Sequence, residues 1–140
     1  LDFFDSWVGC LGPDDYRRYV LPHSKTALSD VMKKSPVIHF ATGNPCLLPL
    51  IKEAGGTVIG LDWRINLDDG WDLIGNDRAV QGNLEPSLLL SDRDTIRKRA
   101  LAILEQAAHR PGHIFNLGHG VLPQTPVENV LELIETVKSF

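Results

Sequence analysis

Sulfur is scarce in this 140-residue sequence, which has two cysteines and one methionine. Cys10 and Cys46 lie far apart and no C-x-x-C occurs. That excludes a disulfide framework and a zinc cassette, and the pair reads as two reduced thiols of a cytoplasmic protein. No apolar run approaches the ~20 residues of a membrane span, and no basic stretch and cleavage site mark a signal peptide. Positive charge is not in excess: 14 Lys and Arg stand against 18 Asp and Glu, a net charge of −4. This balance argues against a nucleic-acid partner. Neither G-x-G-x-x-G nor G-x-x-x-x-G-K-[ST] is present, so a nucleotide fingerprint is missing. Internal repeats, low-complexity tracts and linker-like segments are also missing.

What is present is a hydrophobic content of 43%. That is ordinary for a globular chain and enough to offset chain entropy in one domain. The sequence opens in the apolar stretch Leu1-Asp2-Phe3-Phe4 rather than at a methionine. This predicts a piece of a longer protein.

Five short apolar runs predict strands at Leu1–Phe4, Val37–Ala41, Thr57–Leu61, Ala79–Asn83 and Ile114–Leu117. Three are nearly continuous in apolar residues, which predicts strands covered on both faces, as in parallel sheets. Helical patterns fill the intervals. Gly12-Pro13-Asp14-Asp15 opens one that runs to about Lys34, with Lys33 and Lys34 suited to its last turn. Pro45–Ala54 forms a shorter one stopped by Gly55-Gly56, and Leu67–Ile74 adds another before Gly75. Ser91-Asp92-Arg93-Asp94 is a capping-box variant starting a helix to about His109, with Ile96, Ala100, Leu104 and Ala107 in one stripe. Thr125-Pro126-Val127-Glu128 is a full capping box, and Val127, Val130, Leu131, Ile134 and Val137 line one face of the last helix. The resulting α/β alternation has the pitch of βαβ units. A small open doubly wound sheet and a slice of a (β/α)8 barrel both fit it.

Chemistry in parallel α/β folds gathers at the carboxyl ends of the strands. The residues there are Asp5-Ser6-Trp7, Thr42-Gly43-Asn44, Asp62-Trp63-Arg64, Gly82-Asn83-Leu84-Glu85-Pro86 and Asn116-Leu117-Gly118-His119-Gly120. His119 is the strongest candidate, because flanking glycines let the backbone approach a ligand and imidazole works near neutral pH. Ser6 lacks a G-x-S-x-G elbow, which favours a substrate contact or turn hydroxyl over a nucleophile. Asp5 and Asp62 are placed at neighbouring strand ends. They either bind a metal or act as acid and base, or, as favoured, hold backbone amides or Arg64. Arg64 reads equally as a carboxylate or phosphate contact and as a partner of Asp62 or Asp68. His39, inside an apolar run, reads as a satisfied core histidine; His23, His109 and His113 carry no signal.

Four strings in fixed order carry a resemblance: Phe4-Asp5-Ser6-Trp7, Val58-Ile59-Gly60-Leu61-Asp62-Trp63-Arg64, Val80-Gln81-Gly82-Asn83-Leu84-Glu85-Pro86 and Phe115-Asn116-Leu117-Gly118-His119-Gly120-Val121-Leu122-Pro123. Together they strongly resemble the uroporphyrinogen decarboxylases, from the first residue to the last. The resemblance implies a (β/α)8 barrel, a cytosolic homodimer, and no cofactor or metal. The implied reaction removes CO2 from the four acetate side chains of uroporphyrinogen III, giving coproporphyrinogen III for haem synthesis. A pyrrole carbon is protonated, the ring accepts electrons as the acetate loses CO2, and the product is reprotonated. Carried over by motif, Ser6 contacts substrate, His119 hydrogen-bonds a substrate carboxylate, and Phe4 walls the cleft. The family's R-Q-A-G-R-Y segment, its pyrrole-binding aspartate and its cleft tyrosine have no counterpart here. The chain is therefore expected to be the C-terminal portion of one barrel domain, residues 1–140, with about five of the eight strands and the N-terminal half absent. Alone it is expected to be inactive. Its acidic balance places most carboxylate-binding cations elsewhere, with Arg64 as a candidate helper.

Two further readings stand beside this one. A zinc-dependent corrinoid methyltransferase of the same superfamily needs His-x-Cys after a strand and a late Cys. Here Phe40-Ala41 follows His39, and Gly118-His119-Gly120 fills the late position. The other reading is a non-catalytic fragment or split subunit that works only with its partner half.

Overall fold

The computed structural model describes residues 1–140. Five parallel strands form one sheet: β1 (Asp2–Asp5), β2 (Ile38–Ala41), β3 (Val58–Gly60), β4 (Ala79–Leu84) and β5 (His113–Leu117). Each agrees with its predicted run to within a residue or two. The spatial order is β1-β2-β3-β4-β5, identical to the chain order. This order separates the two architectures that the residue pattern left open, in favour of the barrel that the family resemblance implied. A doubly wound sheet reverses its strand order at a switch point, whereas barrel strands are added in sequence. The fold is thus the five-stranded part of a (β/α)8 barrel.

The helices are α1 (Pro13–Asp15), α2 (Leu21–Val31), α3 (Leu48–Ala54), α4 (Leu67–Ile74), α5 (Arg93–Ala107) and α6 (Val127–Ser139). From α2 onward each packs on the next. Sequential right-handed crossovers put successive helices on the same side of the sheet. The core lies between that side and the helices. Ile59, Leu61 and Val80 meet Leu48 and Ile51 of α3, Trp71 and Ile74 of α4, and Ile96 and Ala100 of α5.

Several local expectations are corrected. The single helix predicted to Lys34 is interrupted by a π-helical turn at Tyr16–Val20, and α2 stops at Val31. Pro22 has no N–H for the carbonyl one turn back and its ring crowds that carbonyl, so the backbone widens just before it. Asp92, not Ser91, caps α5: its carboxylate accepts the Thr95 N–H at 2.9 Å. The Ser91 hydroxyl instead donates to the Leu88 carbonyl, closing the preceding 3-10 turn. The capping box at Thr125 does not form, because α6 begins only after Pro126 and the buried Thr125 hydroxyl stays unpartnered.

Two apolar surfaces also depart from the pattern. Three near-continuous runs predicted strands covered on both faces. On the helix side His39, Ile59 and Val80 are fully buried, but on the opposite side Phe4 is 63% and Ile114 is 43% exposed. Five strands do not close on themselves, so their concave face has nothing packed against it. On α6, the buried positions are Leu133 and Thr136, while Val127, Leu131 and Ile134 of the predicted stripe face outward. Val130 and Val137 of the same stripe do pack against the core. The α5 stripe of Ile96, Ala100, Leu104 and Ala107 is buried as expected.

One histidine that carried no sequence signal couples the fold to pH. His113 starts β5, packs beside Trp71 and Phe115, and its Nε2 lies 3.0 Å from the Gly82 carbonyl. Burial pushes its pKa below the ordinary histidine value of 6.5, and the hydrogen bond to Gly82 only partly opposes this. The unfolded chain therefore takes up a proton before the folded one does. Its stabilising contribution is present above the ordinary value and is lost as pH falls below about 6.5. The melting temperature is expected to fall between pH 8 and pH 5, and His113→Gln is expected to flatten that slope. An unchanged slope in the variant would contradict the assignment.

Candidate functional site

The carboxyl ends of the strands surround a cavity of about 650 Å³ lined by Ser6, Trp7, Thr42, Trp63, Arg64, Pro86, Ser87, His119, Gly120 and Leu122. Residues from all five strand ends meet there. A second cavity of about 310 Å³ continues below it along the concave face, where Phe4, Phe40, Gln81 and Asn116 point inward. Ser6 and His119 line both cavities. Strand alternation explains this: Asp2, Phe4 and Ser6 share one face of the β1 strand and its extension, and Phe3 and Asp5 share the other.

His119 is held by what surrounds it. Its ring meets Phe40 and Trp63 edge to face, with centroids at 6.2 and 6.3 Å. Its Nδ1 accepts the Gly120 N–H at 2.7 Å. That bond assigns Nδ1 as the acceptor of the neutral ring and leaves the proton on Nε2, which is then a free donor. The preceding Gly118 is buried against β3's end. A Cβ there would sit 2.6 Å from the Trp63 nitrogen, so only glycine lets the His119 loop come this close. The Ser6 hydroxyl makes no hydrogen bond to a base, while the Ser6 carbonyl accepts from Thr42 Oγ1 at 2.7 Å. A nucleophilic role for Ser6 has no geometric support.

Asp62 and Asp5 have different roles from each other, and β2 lies between their strands. Asp62 is 5% exposed and its carboxylate accepts the Gly43 N–H at 2.6 Å, the Arg64 N–H at 2.9 Å and the Arg64 guanidinium at 2.6 Å. This is the structural role favoured from sequence, and it resolves Arg64's pairing in favour of Asp62 over Asp68. The Asn83 side chain bonds the Asp62 and Ile65 carbonyls, fastening the same loop to β4.

Asp5 turns away from the cavity toward the helices, where it meets His39 Nε2 at 3.2 Å and the Ser24 hydroxyl at 3.3 Å. His39 Nδ1 faces the Gly55 carbonyl at 2.8 Å, so the ring is a satisfied core histidine. Tyr16 lies buried beside this cluster. Burial, followed by the Asp5 charge, pushes its phenol above the ordinary value and keeps it protonated. Asp5 and Asp62 thus do not converge on a metal or an acid–base pair. No three His, Cys, Asp or Glu side chains gather anywhere in the chain.

Ser6 and His119 lie after strand ends as read from the sequence, and Phe4, carried over only by the family resemblance, lies within β1 and lines the inner cavity. The sequence did not single out Phe40, Ser87, Leu122 or Gln81. Phe40 and Gln81 had a signal: they alternate with buried His39 and Val80, so they point to the concave side. Ser87 and Leu122 had none, because loop curvature brings them to the rim.

Comparison with known proteins places this geometry. The family profile described as uroporphyrinogen decarboxylase (URO-D) matches residues 1–140. A uroporphyrinogen decarboxylase from Carboxydothermus hydrogenoformans is 53% identical over 96% of this chain, and one from Koribacter versatilis is 52% identical over all of it. The chain spans 39% and 40% of the length of these curated relatives. Among solved structures, a methyltransferase from Methanosarcina mazei superposes with a TM-score of 0.85 at 24% identity, over 99% of this chain and 41% of that one. That similarity shows the fold alone. The profile match over residues 1–140 and relatives more than half identical across nearly the whole chain show that the chain belongs to the uroporphyrinogen decarboxylase family.

Proposed function

We propose that this chain is the C-terminal part of a single barrel domain whose complete form decarboxylates the four acetate side chains of uroporphyrinogen III to coproporphyrinogen III. The observation that carries this reading is the convergence of Ser6 and His119 on one cavity. His119 donates from Nε2 to a substrate carboxylate, because Nδ1 is already occupied by the Gly120 N–H. Ser6 offers a hydroxyl without an internal partner, and Phe4, braced edge to face on Phe40, walls the inner cavity. The barrel interior excludes water around the macrocycle, which strengthens these contacts. The reaction itself uses the substrate's pyrrole ring as the electron sink, so no cofactor or metal is assigned. A cytoplasmic homodimer without a nucleic-acid or membrane partner completes the proposal. No helix here is long and apolar enough to cross a membrane.

The methyltransferase reading finds no ligand set. His39 has both ring nitrogens engaged, the Cys10 thiol donates to the Trp7 carbonyl at 2.9 Å, and Cys46 is exposed elsewhere.

The test is anaerobic incubation of the full-length protein with uroporphyrinogen III and chromatography of the oxidised products. Stepwise loss of four carboxyl groups is expected without added cofactor. Residues 1–140 alone are expected to give none, and mixing with the N-terminal half is expected to restore it if the halves assemble. Absence of product from the full-length protein overturns the reading.

A further inference from the structure

We propose that Arg64 is the carboxylate-recognising cation of the strand-end cavity and that Asp62 is the residue that positions it. This rests on the reading of that cavity as a porphyrinogen cleft, and it names a group that meets one of the substrate's peripheral carboxylates.

Arg64 is the one formally charged side chain, Lys, Arg, Asp or Glu, among those lining the cavity of about 650 Å³. Its side chain is 44% exposed, while the Asp62 carboxylate behind it is 5% exposed. The positive end of the pair therefore faces the cavity and the negative end faces the protein. Asp62 is itself anchored by two backbone amides, Gly43 N–H at 2.6 Å and Arg64 N–H at 2.9 Å. One guanidinium nitrogen, Nη1, is held on Asp62 at 2.6 Å, and the guanidinium plane lies over Trp63, 4.1 Å from the ring centroid. A carboxylate on one edge and an indole on one face leave the fork little freedom.

A guanidinium carries five N–H donors in a fixed plane, and a single contact to Asp62 leaves a free edge suited to bidentate binding of a carboxylate. The same Trp63 ring also meets His119 edge to face, at 6.3 Å between centroids. Trp63 thus contacts the residues that carry both donors, the free edge of Arg64 and the Nε2–H of His119, each already oriented by a bond within the protein. A polyanionic macrocycle presenting carboxylates around its rim meets both. Because the orientation is set on folding, little ordering remains at binding. The sequence alone left Arg64 undecided between pairing with an aspartate and recognising an anion. The geometry gives it both roles on different edges.

Lysine discriminates these roles. An ammonium preserves the ion pair with Asp62 but is a point charge without the planar fork. In the full-length enzyme, Arg64→Lys is expected to raise KM for uroporphyrinogen about tenfold, the loss of one charge-assisted contact. Its kcat should stay within about twofold and its melting temperature should not change. Arg64→Gln is expected to raise KM further and to weaken the salt dependence of kcat/KM. Asp62→Asn, which frees the guanidinium, is expected to raise KM by less than either. Wild-type KM in both Arg64 variants overturns the proposal. So does an Arg64→Lys enzyme restored in both KM and melting temperature, since the residue would then be only a structural charge. If Arg64→Gln fails to fold, Arg64→Lys decides alone. A wild-type enzyme inactive on uroporphyrinogen refutes the underlying reading instead, so the two failures are distinguishable.

Discussion

Replacing Trp71 by alanine in the full-length protein is expected to lower the unfolding free energy by about 3–5 kcal/mol, the range for truncating a buried large aromatic. Trp71 lies on the inner face of α4 with 2% of its surface exposed, in the cluster that joins that helix to the sheet. Three separate contacts are lost with it. The indole N–H donates to the Arg78 carbonyl at 3.1 Å, tying α4 to the turn before β4. The Arg110 guanidinium lies 4.5 Å from the ring centroid. The ring also flanks His113 at the start of β5. Trp71→Phe keeps most of the apolar contact and is expected to cost about 1 kcal/mol more than nothing, chiefly the lost hydrogen bond. Urea midpoints at constant m-value measure both changes. An alanine variant within 1 kcal/mol of wild type, on the scale of an ordinary surface change, contradicts this account of the core.

The second large effect concerns turnover. His119→Asn in the full-length enzyme is expected to lower kcat/KM for uroporphyrinogen by about 10²-fold, the cost of removing one preorganised donor. Asparagine places its amide near the former Nδ1 and leaves the Nε2 position empty. Glutamine reaches further and is expected to recover part of the loss. Because His119 is exposed at the cavity mouth, neither substitution should shift the melting temperature. In the proposed reaction four acetates leave in turn, so the loss is expected to differ among the four steps. Wild-type rates at all four steps would remove His119 from the substrate-contacting set.

The strands were legible because each is a short apolar run bounded by glycine, proline or polar residues, and burial on the helix side demands that pattern. The helix termini were less legible. Thr125 and Ser91 both satisfy a capping rule in sequence, but Pro126 delays α6 and Asp92 outcompetes Ser91 for α5. Such choices depend on which of several nearby acceptors the backbone reaches, and the loop path decides this. The apolar face of α6 shows a related limit. Val127, Leu131 and Ile134 have helical spacing, yet they face outward because α6 packs on its neighbours through Leu133 and Thr136 together with Val130 and Val137 of the same stripe.

At the site, the sequence by itself determined the residue types at each strand end and their order along the chain. Those sufficed to place Ser6 and His119 as candidates, because parallel strands bring their carboxyl ends to one side, whereas Phe4 came from the family resemblance. The sequence also determined the family, through strings whose joint order is specific. The residue pattern alone left barrel and doubly wound sheet open and the family resemblance implied the barrel; the tertiary structure shows it directly, because strand order in space is set by how successive crossovers stack. Only the tertiary structure turned Asp5 to the helices and put Asp62 behind Arg64, because neighbouring carboxylates are distinguished by strand alternation and burial. And only it fixed the His119 donor, because the proton's position follows from a 2.7 Å contact with the Gly120 amide that residue identity does not contain.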